Sequence, residues 1–141
     1  MKIENTYLVM YMEKRIVLID TNFLMIPYQF KIEIFSEIRH LLDMEYKLAV
    51  SSATVRELEY ISKGRTKGAI AARVAKKIID ARESKIEVIK TILGADQFIE
   101  EFANAKKGIV CTNDMRLRQK IRKSGIKIIA LKSKSKIGFI R

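Results

Sequence analysis

Short runs of aliphatic residues alternate along the chain with segments whose apolar residues recur every three or four positions. The runs predict five strands, at residues 16–19, 47–51, 86–89, 109–111 and 126–131. The periodic segments predict amphipathic helices around residues 32–42 and 55–61 and over 67–80, 95–105 and 115–123. Strands that are apolar on both faces are typical of a parallel sheet covered by helices on each side. The sequence therefore predicts an α/β fold, a three-layer α/β/α sandwich around a central, mostly parallel sheet of five strands.

The domain organisation follows from length and residue usage. With 141 residues the chain has the length of one domain, and we expect a single domain over residues 1–141. Residues 1–15 are expected to be an N-terminal extension and residues 132–141 a basic C-terminal tail. No apolar run approaches the roughly 18 residues of a membrane span, so no membrane contact is expected. Cys111 is the only cysteine, which excludes an intrachain disulfide and favours a reducing, cytoplasmic location.

The chain carries a strong positive charge that is concentrated in its second half. The formal net charge is +12, yet residues 1–62 hold 7 basic and 9 acidic side chains, whereas residues 63–141 hold 21 and 7. Such a surface attracts polyanions, of which nucleic acid is the commonest. The alternative is a lysine-rich face that only keeps the protein in solution.

Four acidic residues are expected at one edge of the predicted sheet. Asp20 and Asp114 follow the first and fourth strands, Glu57 lies early in the helix after the second strand, and Asp96 opens the helix before the fourth. Each taken alone is better explained as a helix cap or a first-turn acid. Together, four carboxylates without a counterion would repel one another, so the set predicts a cation. Oxygen ligands favour Mg²⁺ or Mn²⁺, and such an ion beside a basic surface suggests chemistry on phosphodiesters.

The four acids lie in segments that resemble a known family. The segments IVLIDTN (16–22), VREL (55–58), ADQFI (95–99) and VCTND (110–114) look like the four ordered motifs of PIN-domain ribonucleases. Each motif is weak by itself, but four in the right order are specific, and the resemblance spans residues 16 to about 131. It implies a PIN-like fold and a metal-dependent endoribonuclease. Many relatives carry a further acid where this chain has Gln97, so the number of metal ions, one or two, stays open.

The resemblance also implies roles for individual residues. Asp20, Glu57, Asp96 and Asp114 would be the catalytic residues that hold Mg²⁺ or Mn²⁺, and hydrolysis would leave a 5′-phosphate and a 3′-hydroxyl. The polar neighbours that would support these ligands are Thr21, Asn22, Thr112 and Asn113. The basic side chains that would bind RNA phosphates on the helix after the fourth motif are Arg116, Arg118, Lys120, Arg122 and Lys123.

Two biological roles and two other functions compete at this point. A VapC-type toxin would have an antitoxin partner and form a homodimer, with tRNA, mRNA or rRNA as substrate, whereas nucleases of the small-subunit processome mature rRNA. The basic helix resembles the second group somewhat more. A catalytically silent RNA- or protein-binding PIN module is the alternative to an enzyme. A phosphorylation-dependent receiver would use Asp20, Thr112 and Lys132, but no acceptor aspartate follows the predicted third strand.

Overall fold

The computed structural model describes residues 15–81, 85–106 and 108–140, and these residues form six strands and seven helices. The strands are β1 (Arg15–Ile19), β2 (Tyr46–Ser51), β3 (Ile86–Ile89), β4 (Gly108–Cys111), β5 (Lys127–Ser133) and β6 (Lys136–Ile140). The helices are α1 (Thr21–Leu24), α2 (Ile26–Phe30), α3 (Ile34–Leu41), α4 (Ser52–Ser62), α5 (Lys67–Ala81), α6 (Ala95–Asn104) and α7 (Met115–Arg122). The N-terminal extension expected over residues 1–15 lies outside the described residues except for Arg15, which begins β1.

The strands form one sheet in the order β3-β2-β1-β4-β5-β6. All neighbouring pairs are parallel except β5 and β6, which are antiparallel. Strands β2 and β3 lie on one side of β1, and β4, β5 and β6 lie on its other side. The strand order therefore reverses between β1 and β4, which makes this pair the topological switch point of the sheet. In open α/β sheets the crevice beyond the carboxyl ends of two such strands is the usual place of a functional site.

The central strand β1 is buried on both faces. Val17 and Ile19 belong to a core cluster with side chains of α1 to α5, and Ile16 and Leu18 belong to a second cluster with α6 and α7. Helices thus cover both faces of the sheet, as its continuous apolar strands predict. The predicted three-layer α/β/α sandwich is confirmed.

A glycine permits the close approach of the two strands that flank the crevice. Gly108 of β4 pairs with Ile16 of β1, and a Cβ at this position would lie 1.9 Å from the Ile16 carbonyl oxygen. Any side chain here would force the strands apart. Since the strands end a few residues further on, Gly108 helps to place Asp20 beside Thr112.

The structure corrects the predicted carboxyl-terminal region. The sheet has six strands within the described residues where five were predicted, because the segment expected to be a basic tail completes β5 and forms β6. Ile137 of β6 is buried against the core, while Lys132, Lys134 and Lys136 are exposed. Exposed lysines on an edge strand are common because they discourage pairing with a second chain. Across the described part of the chain, no helix is long and apolar enough to cross a membrane.

Candidate active site

Asp20 lies at the carboxyl end of β1 and is the most buried of the four candidate carboxylates. Its backbone N–H donates to the Cys111 carbonyl oxygen at 2.9 Å, which extends the pairing of β1 with β4 by one residue. The carboxylate then caps α1 by accepting from the Thr21 N–H at 2.8 Å. The residue is only 4% exposed. The short helix α1 therefore begins at Asp20 and turns the chain away from the sheet while the carboxylate stays at the edge.

Thr112 joins the ends of β1 and β4. Its hydroxyl donates to Asp20 Oδ2 at 2.7 Å and accepts from the Asp114 N–H at 3.1 Å. Its own N–H donates to the Ile129 carbonyl oxygen of β5 at 3.0 Å, and the residue is fully buried. One side chain thus fixes the orientation of Asp20 and the backbone that carries Asp114.

Glu57 reaches the same crevice from α4. Ser51, the last residue of β2, caps this helix by accepting from the Thr54 N–H at 3.1 Å. Glu57 lies in the second turn, and its Oε1 accepts a hydrogen bond from the Thr21 hydroxyl. The Thr21 and Thr54 hydroxyl oxygens are also 3.2 Å apart. Thr21 therefore connects the carboxylate on α4 to the residue next to Asp20.

Asp96 and Asp114 lie at the first turns of α6 and α7. Asp114 caps α7, because one of its oxygens, Oδ1, accepts from the N–H groups of Arg116 and Leu117 at 3.0 and 3.1 Å. Asp96 is in the first turn of α6, which begins after Gly94 without a side-chain cap. Both residues remain accessible to solvent. The cap interpretation is thus correct for Asp114 and for Asp20. Both cap bonds of Asp114 use Oδ1, whereas both oxygens of Asp20 accept a hydrogen bond, Oδ1 from Thr21 and Oδ2 from Thr112.

The pKa values show that the four acids influence one another. Burial raises the pKa of Asp20 to about 6, the hydrogen bonds from Thr112 and Thr21 oppose this change, and the charges of Asp96 and Glu57 add to it. The pKa of Asp96 is also raised, by burial first and then by the charges of Asp114 and Glu57, while Lys120 lowers it. The charges of Glu57, Asp96 and Asp114 therefore each act on Asp20, on Asp96 or on both. Raising the pKa of a carboxyl group by one pH unit disfavours its charged form by about 1.4 kcal/mol.

The donor chemistry fits a hard divalent cation. All the candidate groups are oxygens, which Mg²⁺ and Mn²⁺ prefer. Asp20 is a buried carboxylate that forms no ion pair with the lysines or arginines that the structure describes. The arrangement is nevertheless open: over residues 15–81, 85–106 and 108–140, no three His, Cys, Asp or Glu side chains stand close enough to share one ion. The structure brings the four carboxylates into electrostatic range without gathering three of them into one ligand group.

The other predicted polar residues hold loops in place. Asn22 Oδ1 accepts from the Asn113 N–H at 3.2 Å, and Asn113 Oδ1 accepts from the Leu131 N–H at 2.8 Å. These contacts connect α1, the loop after β4 and β5. Three residues before Glu57, Thr54 suggests a capping box from the sequence, but Ser51 is the cap and the Thr54 hydroxyl contacts Thr21 instead. Sequence reasoning missed this contact and also Ser52, which ties the loop after β3 to α4. Both residues follow β2 directly, and their position in the sequence was the only signal that could have found them.

The basic residues predicted to bind RNA lie on α7 and at its end. Arg116, Lys120, Arg122 and Lys123 are exposed and Arg118 is half-buried. Lys120 Nζ is 3.8 Å from Glu100 Oε2 of α6, and Arg118 contacts the Met115 sulfur. Asp114 caps α7, so the basic side chains of this helix extend away from the end of the sheet where Asp20, Glu57, Asp96 and Asp114 lie, which we call the carboxylate edge.

Comparisons with known proteins agree with this geometry. The chain matches the PIN like domain family over residues 17–134. It is 30% identical over 117 residues to ribonuclease VapC4 of Methanocaldococcus jannaschii, covering 82% of this chain and 88% of that protein. It is 29% identical over 124 residues to ribonuclease VapC9 of Archaeoglobus fulgidus, covering 87% of each.

Solved structures show the same architecture. The PIN domain endonuclease Utp24 superposes with a TM-score of 0.69 at 29% identity, covering 89% of this chain and 91% of that one. VapBC2 from Rickettsia felis bound to a promoter DNA fragment gives a TM-score of 0.56 at 19% identity, covering 82% and 98%. The second likeness concerns the fold alone.

Proposed function

Because the chain belongs to the PIN like domain family and is similar over most of its length to ribonucleases, we propose that it is a metal-dependent endoribonuclease. The substrate is RNA, and the reaction is hydrolysis of a phosphodiester bond. The observation that carries the proposal is the buried carboxylate of Asp20, which lacks a cationic partner among the described residues and lies in electrostatic range of Glu57 and Asp96. An arrangement of this kind is unfavourable unless a positive ligand compensates it.

Asp20, Glu57, Asp96 and Asp114 would hold Mg²⁺ or Mn²⁺ in this proposal. A divalent ion in such a site supplies a lowered pKa for the attacking water and positive charge against the phosphate. Thr112 keeps Asp20 Oδ2 oriented by its hydrogen bond, and Thr21 does the same for Glu57. The cations of α7 bind phosphates on the strand beside the site. The water oxygen ends on phosphorus and the 3′ oxygen leaves, which gives a 5′-phosphate and a 3′-hydroxyl.

The test is cleavage of single-stranded and structured RNA by the purified chain with Mn²⁺, with Mg²⁺ and with a chelator. We expect internal cuts that need the ion and products that carry a 5′-phosphate. Product-end analysis controls for contaminating nucleases that do not use metal, because those leave a 5′-hydroxyl and a cyclic phosphate. RNA binding without cleavage under all ions would favour the catalytically silent binding module.

The biological role within this activity is rRNA maturation or toxin activity. The exposed cations of α7 favour RNA processing, whereas the similarity to VapC4 and VapC9 favours a toxin, which would have an antitoxin partner. Expression of the chain in a bacterial host distinguishes the two roles. Growth arrest that requires Asp20 and is relieved by the product of a neighbouring gene would identify a toxin. Normal growth together with altered rRNA ends would identify a processing enzyme.

A further inference from the structure

The large apolar side chains with the greatest exposure lie close in the sequence to three of the four carboxylates. Tyr60 is 79% exposed, Ile92 is fully exposed and Met115 is 58% exposed, and each lies within four positions of Glu57, Asp96 or Asp114. The two other exposed large apolar residues of the described chain, Met44 and Val88, are less exposed. Single exposed apolar residues are ordinary, so the case for a binding surface depends on what surrounds Tyr60 and Ile92.

Tyr60 lies next to Glu57 on the surface of α4. Residues three or four positions apart are neighbours on a helix, so the ring of Tyr60 is adjacent to Glu57 on one side and to Arg56 and Lys63 along the same stripe. Both cations are exposed, and neither forms an ion pair within the described part of the chain. Tyr60 is also the single aromatic side chain among the large apolar groups that the structure exposes over its described residues.

Ile92 is exposed although its neighbours are held firmly. The Thr91 N–H donates to Ser52 Oγ at 3.0 Å, and the Ser52 hydroxyl donates to the Thr91 carbonyl oxygen at 3.3 Å. The Leu93 N–H donates to Thr91 Oγ1 at 3.0 Å. Since Ser52 is the first residue of α4, the loop that carries Ile92 is attached to the helix that carries Glu57 and Tyr60.

We propose that Tyr60 and Ile92 form a base-contact surface along α4, on which Tyr60 stacks against an unpaired nucleobase of RNA bound at the carboxylates and Ile92, whose loop is tied to the first residue of the helix, packs against a base further along the strand. Proteins that bind single-stranded nucleic acid combine positive charge along the phosphates with aromatic side chains on which bases stack, and Arg56, Tyr60 and Lys63 bring both components together on one helix. The cations contact phosphates while the ring contacts the base. Bases inside a duplex are already stacked, so this surface selects unpaired RNA next to the cut. The inference rests on the proposed function.

The test measures base stacking separately from cleavage. Oligoribonucleotides with one 2-aminopurine at successive positions are bound to the Asp20→Asn variant, and fluorescence quenching and affinity are recorded. We expect quenching at one or two positions. The change Tyr60→Ala abolishes this quenching and weakens single-stranded binding about 5- to 100-fold, as expected for loss of one stacked base. Tyr60→Phe retains both, and Ile92→Ser gives a smaller loss. Met44→Ala, an exposed apolar residue that is not near a carboxylate in the sequence, changes neither.

Three results would overturn the proposal. Unchanged quenching and affinity in Tyr60→Ala would mean that the ring does not touch a base. An equal loss of affinity for duplex and single strands would mean that the effect is not stacking. A change in self-association with RNA affinity unchanged would assign Tyr60 to a protein interface. None of these results would affect metal-dependent cleavage by the wild type. A wild-type protein that never cleaves RNA, although the Asp20→Asn variant quenches 2-aminopurine fluorescence, would contradict only the proposed endoribonuclease activity.

Discussion

The carboxylate edge of the sheet and helix α7 are adjacent but built on different physical principles. Asp20 and Thr112 are buried and connected by directional hydrogen bonds, whereas the cations of α7 are largely exposed. Buried polar groups lose much when one partner is removed, because the other is then left unsatisfied. Exposed charges act over longer distances, are screened by salt and substitute for one another. Substitutions at the edge should therefore act sharply, and those on α7 gradually.

The largest effect is expected for Asp20→Asn, which removes the most buried candidate ligand but keeps the side-chain shape and one acceptor oxygen. Removing only the outer hydrogen-bond partner of a metal ligand costs about 10- to 100-fold in activity. Loss of the ligand itself should lower the cleavage rate by more than about 100-fold. RNA affinity should stay close to that of the wild type, because the basic surface is unchanged. The cleavage rate and a filter-binding assay measure the two quantities.

Asp43→Asn is the matched control, because Asp43 is exposed in the loop before β2 and the change alters net charge equally. Cleavage by the Asp20→Asn variant at the wild-type rate would show that the edge is not the catalytic centre. An equal loss in both variants would mean that net charge, and not position, matters.

A smaller effect is expected for Thr112→Val, which removes the hydroxyl between Asp20 and the Asp114 backbone. Valine has nearly the same shape, so the strand should remain intact while Asp20 loses a hydrogen bond that lowers its pKa. We expect a cleavage rate about 10- to 100-fold lower, in line with other outer partners of ligands. Thr112→Ser keeps the hydroxyl and should retain most of the activity. Equal rates for the valine and serine variants would contradict this role.

Stability gives a third test of the buried edge, in the presence of a chelator. The folded-state pKa of Asp20 is raised to about 6 from 3.8, so between these pH values the folded protein binds more protons than the unfolded chain. Its free energy of unfolding should fall as pH rises through this window. Asp20→Asn lacks that loss, so its free energy of unfolding relative to the wild type should rise by up to about 3 kcal/mol between pH 4 and pH 7.

The comparison is made by urea denaturation of both proteins at pH 4 and pH 7. The stability of the variant relative to the wild type should be lowest at pH 4, where Asp20 is largely protonated in the folded state, and should rise towards pH 7. Added Mn²⁺ at pH 7 should stabilise the wild type and not the variant. Parallel pH profiles for the two proteins would show that Asp20 does not carry the buried charge.

Much of this arrangement follows from the sequence because it depends on local patterns. The predicted strand at residues 86–89 matches β3, and the predicted helix at 95–105 differs from α6 by one residue. The placement of polar residues after apolar strands also predicts which acids share an edge. In a parallel sheet the carboxyl ends of all strands lie on one side, so residues that follow these strands meet there.

The parts that could not be predicted depend on contacts between distant residues. The hydrogen bond from Thr21 to Glu57 joins residues 36 positions apart, and that from Thr112 to Asp20 joins residues 92 apart. Strand β6 was missed because its lysines are equally typical of a basic tail. In the folded chain the Lys132 side chain lies over Gly138, where a Cβ would be 2.7 Å from the lysine Cδ. Lysines there form the solvent face of an edge hairpin.

The smallest effect is expected on α7, where Arg118→Glu combined with Arg122→Glu reverses two charges on one face of the helix. Weaker attraction to phosphates should lower RNA affinity about tenfold at low salt and reduce the slope of log affinity against log salt by about one for each phosphate that is no longer bound. Arg39→Glu with Lys47→Glu makes the same change in net charge on α3 and β2 and should leave the slope close to wild type. If both pairs lower the slope equally, RNA follows the overall field of the protein and not this helix. If only the α7 pair does, the strand runs from the carboxylates along α7, and the contrast between a sharp centre and a graded approach to it holds.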